Sequence, residues 1–249
     1  MYDARVMRAP GAVLVAFLAA ASAGPAFAWS PATRVVMIDD AIKLMPKTLR
    51  KVLEKRRSDV IRGMLEPLTQ EDSAAHRPPW EGGTLTGSVD GAAKDLVSGA
   101  TTRVSFHDVS RRFGVLAHFV ADAGFPPGAA GTAGASRYAH FASLCETRRP
   151  KFPFVFYGHD NDALAKDDFE TFTLTILERA RAEDANLARA YALAAGGTDA
   201  AAFDDRSVPF AIASLSYSHT VTDIVQAWLA AWRDCHGDLA GTPYQGAKP

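Results

Sequence analysis

The chain has 249 residues, a formal net charge of −1 and a composition that is 48% hydrophobic and 22% charged. A chain of this length can bury a sizeable core as one domain or two. The balanced charge excludes a chain-wide attraction to nucleic acid or anionic lipid, and it argues against nucleic acid as a partner.

The first 28 residues have the pattern of a secretory leader. Arg5 and Arg8 precede a short apolar run at 11–24, and Ala-Phe-Ala at 26–28 provides the small residues of a cleavage site. Cleavage after Ala28 would leave residues 29–249, beginning with Trp29, and no later segment has the length and apolar character of a transmembrane anchor. We therefore predict an exported protein, periplasmic or secreted; the alternative is an uncleaved N-terminal anchor.

Apolar residues recur with a helical period through most of the chain. Helices are predicted over 32–45, 47–65, 102–123, 136–149, 167–195 and 208–235, with a turn-rich loop at 67–90, a second flexible loop following Phe125 and an extended connector at 151–160. This pattern predicts an all-α fold of about seven helices in a single compact domain over 29–249.

Two further features leave alternatives open. A basic run between Lys47 and Arg62 has helical spacing, which favours a solvated helix face over a binding patch. The two cysteines, Cys145 and Cys235, could form a disulfide in an exported protein, but sequence gives no distance between them.

The strongest chemical signal is His118 followed four residues later by Asp122. This spacing puts an imidazole and a carboxylate on one helix face, where they can bind one metal ion or each other. The neighbouring residues are apolar, and a buried carboxylate requires a partner or a cation. A second pair with this spacing, His219 and Asp223, lies on a core-like helix and is predicted to form a His–Asp hydrogen bond. His107 lies about 16 Å from His118 along the predicted helix and cannot share its ion.

Trp29 points to metal binding as well, because a freed α-amino nitrogen and its own carbonyl oxygen can chelate an ion. A chain that begins Trp-Ser-Pro, enters a helix, and later carries His118 and Asp122 before Pro126–Pro127 resembles the zinc-dependent phospholipase C and zinc nuclease superfamily. The resemblance implies an exported α-helical fold, up to three zinc ions and hydrolysis of phosphodiesters. It also implies metal-ligand roles for Trp29, His118 and Asp122, with Asp122 bridging two ions as the catalytic carboxylate.

The ligand pattern of this family is incomplete here. Arg34 stands near the position of a histidine that the family carries in its first helix, and arginine cannot ligate a metal. We consider instead that its guanidinium substitutes for the charge of a metal ion and binds a substrate phosphate. Tyr138 and Ala142 occupy positions where the family has further ligands.

One zinc pocket is still expected from the resemblance. Its ligands would be His118, Asp122, the loop residue His76 and an acidic residue, with Glu66 as the first candidate and Glu71 or Asp72 as the others. The sequence thus predicts a zinc-dependent phospholipase C-like protein with a degenerate site that hydrolyses phospholipid or another phosphodiester. The alternative is a non-catalytic exported binding or structural protein on the same scaffold, with at most one structural zinc.

Overall fold

The structure, a computed structural model, describes residues 28–69, 73–102, 104–194 and 203–244. Within these ranges the chain forms α-helices and short 3-10 turns without a strand, which confirms the predicted all-α fold. The helices are α1 (Pro31–Lys43), α2 (Lys47–Lys55), α3 (Arg57–Leu65), α4 (Leu85–Thr101), α5 (Phe106–Ala123), α6 (Pro126–Ala129), α7 (Tyr138–Arg148), α8 (Phe169–Leu193) and α9 (Val208–Asp234).

The core is built around α5 and α9. Most residues of both helices are buried, and the Trp228 indole N–H of α9 donates to the Phe113 carbonyl of α5 over 2.9 Å. The two helices approach closely where α5 ends, because a Cβ atom on Gly124 would lie 2.4 Å from the Thr220 hydroxyl. The C-terminal end of α5, which carries His118 and Asp122, is therefore held rigidly in the core.

Helix α3 packs against α5 backbone to backbone. A Cβ atom on Gly63 would lie 1.9 Å from the Arg111 carbonyl oxygen, and one on Gly114 would lie 2.0 Å from the Val60 carbonyl oxygen. Only glycine permits such an approach between helices. This contact brings the main chain of α3 to the face of α5 that carries His118.

Two helical predictions differ from the structure. The segment 47–65 divides into α2 and α3, because the backbone of Arg56 leaves helical geometry at φ −109° and ψ 22°. Helix α4 begins inside the segment that was predicted to be a loop at 67–90. Its glycines weaken helix propensity, but its apolar residues follow a helical period and are buried; they are Leu85, Val89, Ala92, Ala93 and Leu96.

The connector at 151–160 is extended, as predicted, and lies along α9. The amides of Val155 and Tyr157 donate to the hydroxyls of Ser218 and Thr222 over 3.2 and 3.3 Å. The Tyr157 ring stacks on His219 with the ring centroids 4.1 Å apart. Asp223 pairs with Arg179 of α8 in place of the predicted bond to His219.

The remaining sequence expectations concern the leader and the cysteines. Residues 1–27 lie outside the described residues, and none of the helices in the described ranges combines the length and apolar character needed to cross a bilayer. Cys145 and Cys235 are both free thiols, and Cys145 is buried. The pairing that we left open is therefore not formed in this structure.

Candidate metal centre

The centre is built on the last turn of α5. His118 and Asp122 lie one turn apart on its buried face, and His118 Nε2 is 3.1 Å from Asp122 Oδ2. Both side chains are almost completely excluded from solvent. The same-face geometry predicted from their spacing is therefore present.

His76 reaches this pair from the loop between α3 and α4. Its Nδ1 lies 2.7 Å from Asp122 Oδ2 and 3.3 Å from His118 Nε2. Its ring also packs against Phe119, at 5.5 Å between centroids, and its side chain retains 15% of its solvent exposure. His76 is thus the most open member of the three.

The loop that carries His76 is fixed at several points. The Trp80 indole N–H donates to the Ala129 carbonyl over 3.1 Å, and the Arg181 guanidinium lies over the Trp80 ring at 4.9 Å. Glu81 accepts a hydrogen bond of 2.6 Å from the Thr132 hydroxyl. These contacts hold the loop against α6 and α8, so His76 is positioned before any ligand arrives.

The Met64 carbonyl of α3 determines the tautomer of His118. His118 Nδ1 lies 2.7 Å from this oxygen and 3.2 Å from Arg34 Nη1, and the shorter contact, to an oxygen that only accepts, assigns the proton to Nδ1. Burial lowers the pKa of His118, against the opposing effect of Asp122, so the ring is neutral and Nε2 presents a lone pair to the centre. A backbone carbonyl that orients a histidine in this way is the usual outer-shell support of a metal ligand.

The three atoms fit the ligand arrangement of zinc. Their separations of 2.7, 3.1 and 3.3 Å compare with about 3.3 Å between neighbouring ligands of a tetrahedral ion with bonds of 2.0–2.1 Å. The Nε2 lone pair of His118 also faces an ionised carboxylate oxygen, and two acceptors at this distance repel unless a cation or proton lies between them. The donor set of two imidazoles and one carboxylate is one that zinc binds, and its members are His76, His118 and Asp122.

Arg34 lies between Asp122 and Trp29. Its Nη2 donates to Asp122 Oδ1, its Nη1 donates to the His118 carbonyl over 3.2 Å, and its Nε donates to the Trp29 carbonyl over 3.0 Å. The residue is completely buried. Its donors are directed at protein acceptors and not at the open side of the site, which differs from the predicted contact with a substrate phosphate.

The buried guanidinium accounts for the ionisation of Asp122. Burial alone would raise the pKa of this carboxyl, but the positive charge of Arg34, together with the hydrogen bond from His76, holds the pKa well below its usual range. Arg34 engages Oδ1 and leaves Oδ2 for the histidine side. Asp122 thus links the guanidinium on one side to the histidines on the other, whereas its bridging of two metal ions stays a prediction.

Trp29 lies next to this centre, and Arg34 connects the two through hydrogen bonds. The indole is buried between Phe125 and Tyr217, at 5.1 and 6.4 Å between ring centroids, and its carbonyl accepts the Arg34 hydrogen bond. The preceding residue, Ala28, accepts a hydrogen bond of 2.6 Å from the Tyr138 hydroxyl. Trp29 therefore lies close to Asp122, with Arg34 between them, and its predicted role as a metal ligand stays a prediction.

Glu66 is not brought to the centre. Its carboxylate forms a two-pronged ion pair with Arg111, at 2.6 and 2.7 Å, and this pair lowers the pKa of Glu66. The other two candidates for the acidic ligand, Glu71 and Asp72, lie outside the described residues. The described residues therefore bring three candidate ligand atoms together, and the predicted acidic fourth ligand stays a prediction for Glu71 and Asp72.

Sequence reasoning did not find the roles of Met64 or of the glycine pair. Met64 acts through its backbone, which carries no residue-specific signal. Gly63 and Gly114 sit inside two helices that cross, and no packing role was assigned to them from the sequence. Glycine inside two helical patterns was the available sign of a close crossing.

No protein-family model and no curated protein matches the sequence. Among solved structures, the alpha-toxin of Clostridium perfringens, isolated from avian strain SWCP, is similar, with a TM-score of 0.60 and 10% sequence identity. The match covers 83% of this chain and 64% of that chain, so this chain spans less than two thirds of the toxin's length. At this identity the similarity shows a shared fold and nothing finer.

Proposed function

We propose that this chain is an exported, zinc-dependent phosphodiester hydrolase of phospholipase C type, with one zinc ion held by His76, His118 and Asp122. The observation that carries the proposal is the convergence of these three ligand atoms beside a buried, charge-compensated carboxylate. The shared fold supports it, since the similar toxin is a zinc phospholipase C. The substrate class is a phospholipid or a related phosphodiester, and nucleic acid is not favoured.

The residues of the site have separate tasks in this proposal. His118 is held in its metal-binding tautomer by Met64, and His76 closes the ligand set from the solvent side. Arg34 neutralises one oxygen of Asp122 and directs the other towards the histidines. When bound, zinc supplies a Lewis acid for a phosphoryl oxygen and lowers the pKa of a bound water.

One observation favours the non-catalytic alternative. Arg34 places a fixed positive charge between Trp29 and Asp122, where the resemblance implied a further zinc ion. A protein with a single ion and a guanidinium in this place has less metal charge with which to activate water. The alternative is an exported binding or structural protein on the same scaffold with at most one structural zinc.

The test is zinc content and hydrolysis measured on the same sample of residues 29–249. We expect one zinc ion per chain by mass spectrometry and chelator-sensitive hydrolysis of a soluble chromogenic phosphodiester. His118→Gln should lose both, whereas the matched control His107→Gln, on the same helix but paired with Asp59, should keep both. Bound zinc without hydrolysis would establish the non-catalytic alternative, and the absence of both bound zinc and hydrolysis would overturn the hydrolase and leave that alternative.

A further inference from the structure

Helix α2 presents a row of lysines that have no partner within the described chain. Lys47, Lys51 and Lys55 are four residues apart, so they lie along one face of the helix. Leu49 and Leu53 lie on the opposite face and are buried. The three lysines, which we call the lysine row, are exposed, and none forms a salt bridge with a described residue.

The charge around this row is strongly uneven. Residues 43–62 contain eight basic and two acidic side chains, a net charge of +6, although the whole chain carries −1. Two neighbouring carboxylates have other partners, since Asp39 pairs with Arg57, and Asp59 pairs with His107 at 2.7 Å. Glu54, three residues after Lys51 on α2, is the one acidic side chain of the helix, and it offsets a single charge of the row. The basic surface is therefore local and only partly compensated, unlike an ordinary helix face of alternating signs.

Exposed aromatic residues adjoin the N-terminal end of α2. The Lys47 amide donates to the Ala240 carbonyl over 3.4 Å, and a Cβ atom on Gly241 would lie 3.3 Å from Lys47 Cβ. This contact places the C-terminal segment against the row, and three residues further on Tyr244 is 72% exposed.

The same aromatic surface continues into the extended connector. The Tyr244 ring packs on Phe156 at 6.0 Å between centroids, and Phe154 and Tyr157 flank Phe156 with 39% and 46% exposure. We call the exposed residues Phe154, Tyr157 and Tyr244 the aromatic edge. Large aromatic side chains that stay exposed to solvent, next to a helix whose lysines form no ion pair with described residues, indicate a surface that binds a partner.

We propose that the lysine row and the aromatic edge dock the protein on an anionic phospholipid surface, a proposal that rests on the proposed function. The lysines match the negative charge of the headgroups, and amphipathic aromatic side chains settle at the level where headgroups meet acyl chains. A phospholipid substrate is presented in that surface. Nucleic acid and acidic proteins offer negative charge but no apolar layer for the aromatic edge.

The test is co-sedimentation of residues 29–249 with phosphatidylcholine vesicles, with and without about 30% phosphatidylserine. We expect binding to the anionic vesicles that weakens as salt is added. Lys51→Gln/Lys55→Gln should lower the partition constant about 30-fold, since each lysine contributes about fivefold near such a surface. The control Lys94→Gln/Lys166→Gln removes the same charge elsewhere on the surface and should bind like the wild type.

Each alternative outcome overturns the docking proposal. Equal binding to both vesicle types, or binding to duplex DNA or heparin in place of vesicles, would exclude an anionic lipid as the partner. Equal loss of binding in the two double variants would exclude the lysine row as the docking site. Tyr244→Ser should weaken vesicle binding at high salt, where the lysines are screened. Hydrolysis of the soluble phosphodiester separates the two proposals, because a failed active site leaves vesicle binding intact and a failed docking surface leaves hydrolysis intact.

Discussion

Arg34 is the residue on which the centre depends most directly. A completely buried guanidinium stays protonated, so it is tolerated only where acceptors surround it. Here the carbonyls of Trp29 and His118 and the carboxylate of Asp122 provide them. The ion pair links the start of α1 to the end of α5, and it couples the ionisation of Asp122, a proposed metal ligand, to the position of Trp29.

Replacing Arg34 by methionine should therefore be costly. The variant leaves Asp122 buried without its counter-charge, and removing one partner of a buried pair lowers the free energy of unfolding by about 3–5 kcal/mol. The control Arg57→Met breaks an ion pair with Asp39 that is largely exposed, and it should cost about 1 kcal/mol or less. Denaturant unfolding of both variants checks this, and equal losses would contradict a structural role for Arg34. Added zinc should restore more stability to Arg34→Met than to the wild type, because a cation supplies the missing charge.

The resemblance implies that Glu66 is a metal ligand, whereas in the structure its carboxylate lies outside the cluster of candidate ligands. Because its carboxylate is engaged by Arg111, Glu66→Gln should leave the zinc content of the protein unchanged. The ion pair is more than one third exposed on both sides, so its loss should cost at most about 1 kcal/mol. His76→Gln, measured by mass spectrometry in parallel, should lower the zinc content. A similar loss of zinc in both variants would show that Glu66 belongs to the ligand set.

At the scale of elements, the crossing of α3 and α5 determines whether Met64 can reach His118. Gly114→Ala places a methyl group 2.0 Å from the Val60 carbonyl oxygen, so the helices must separate. We expect a loss of about 1–3 kcal/mol or more from overpacking, together with weaker zinc binding as His118 loses its support. Gly87→Ala in α4 meets nothing within 4 Å, and it should stabilise the protein by up to about 1 kcal/mol. Thermal unfolding and zinc titration of the two variants check the prediction, which fails if both behave alike.

Helices α3, α4 and α5 show which features the sequence could predict and which it could not. The spacing of His118 and Asp122 predicted their common face, because helix geometry fixes the relation of residues four apart. The bond from His118 to Met64 joins residues 54 positions apart through a backbone atom, and no side-chain pattern records it. Helix α4 was missed because its glycines resemble loop composition, although its buried apolar residues follow a helical period.

At the scale of the whole molecule, the packing of α8 on α9 makes the stability of the fold depend on pH in two opposing ways. Burial raises the pKa of Asp223 to about 6, with Arg179 acting against this effect. Burial lowers the pKa of His219 to about 4, and Arg179 adds to that shift. Both groups lie on α9, which runs through the core, so their titration is reported by global unfolding.

The signs follow from linkage. The folded-state pKa of Asp223 lies above its ordinary value of 3.8, so its contribution to stability is complete below pH 3.8 and is lost as the pH rises through 6. The folded-state pKa of His219 lies below its ordinary value of 6.5, so its contribution is present above pH 6.5 and is lost as the pH falls towards 4. Between these limits the two contributions oppose each other.

Two single variants should therefore change the pH dependence of the thermal midpoint in opposite directions. Asp223→Asn removes the contribution that falls with pH, so its thermal midpoint should rise relative to the wild type as pH increases from about 4 to about 7. His219→Phe keeps a ring to stack on Tyr157 and removes the contribution that rises with pH, so its midpoint should fall relative to the wild type over the same range. Taking each variant as a difference from the wild type cancels the titration of the metal centre, which both variants retain. The prediction fails if the thermal midpoints of the two variants change with pH in parallel. Parallel changes would mean that Asp223 and His219 have the same pKa values in the folded and the unfolded chain, as hydrated groups do. The interface between α8 and α9 would then open to solvent before the core unfolds.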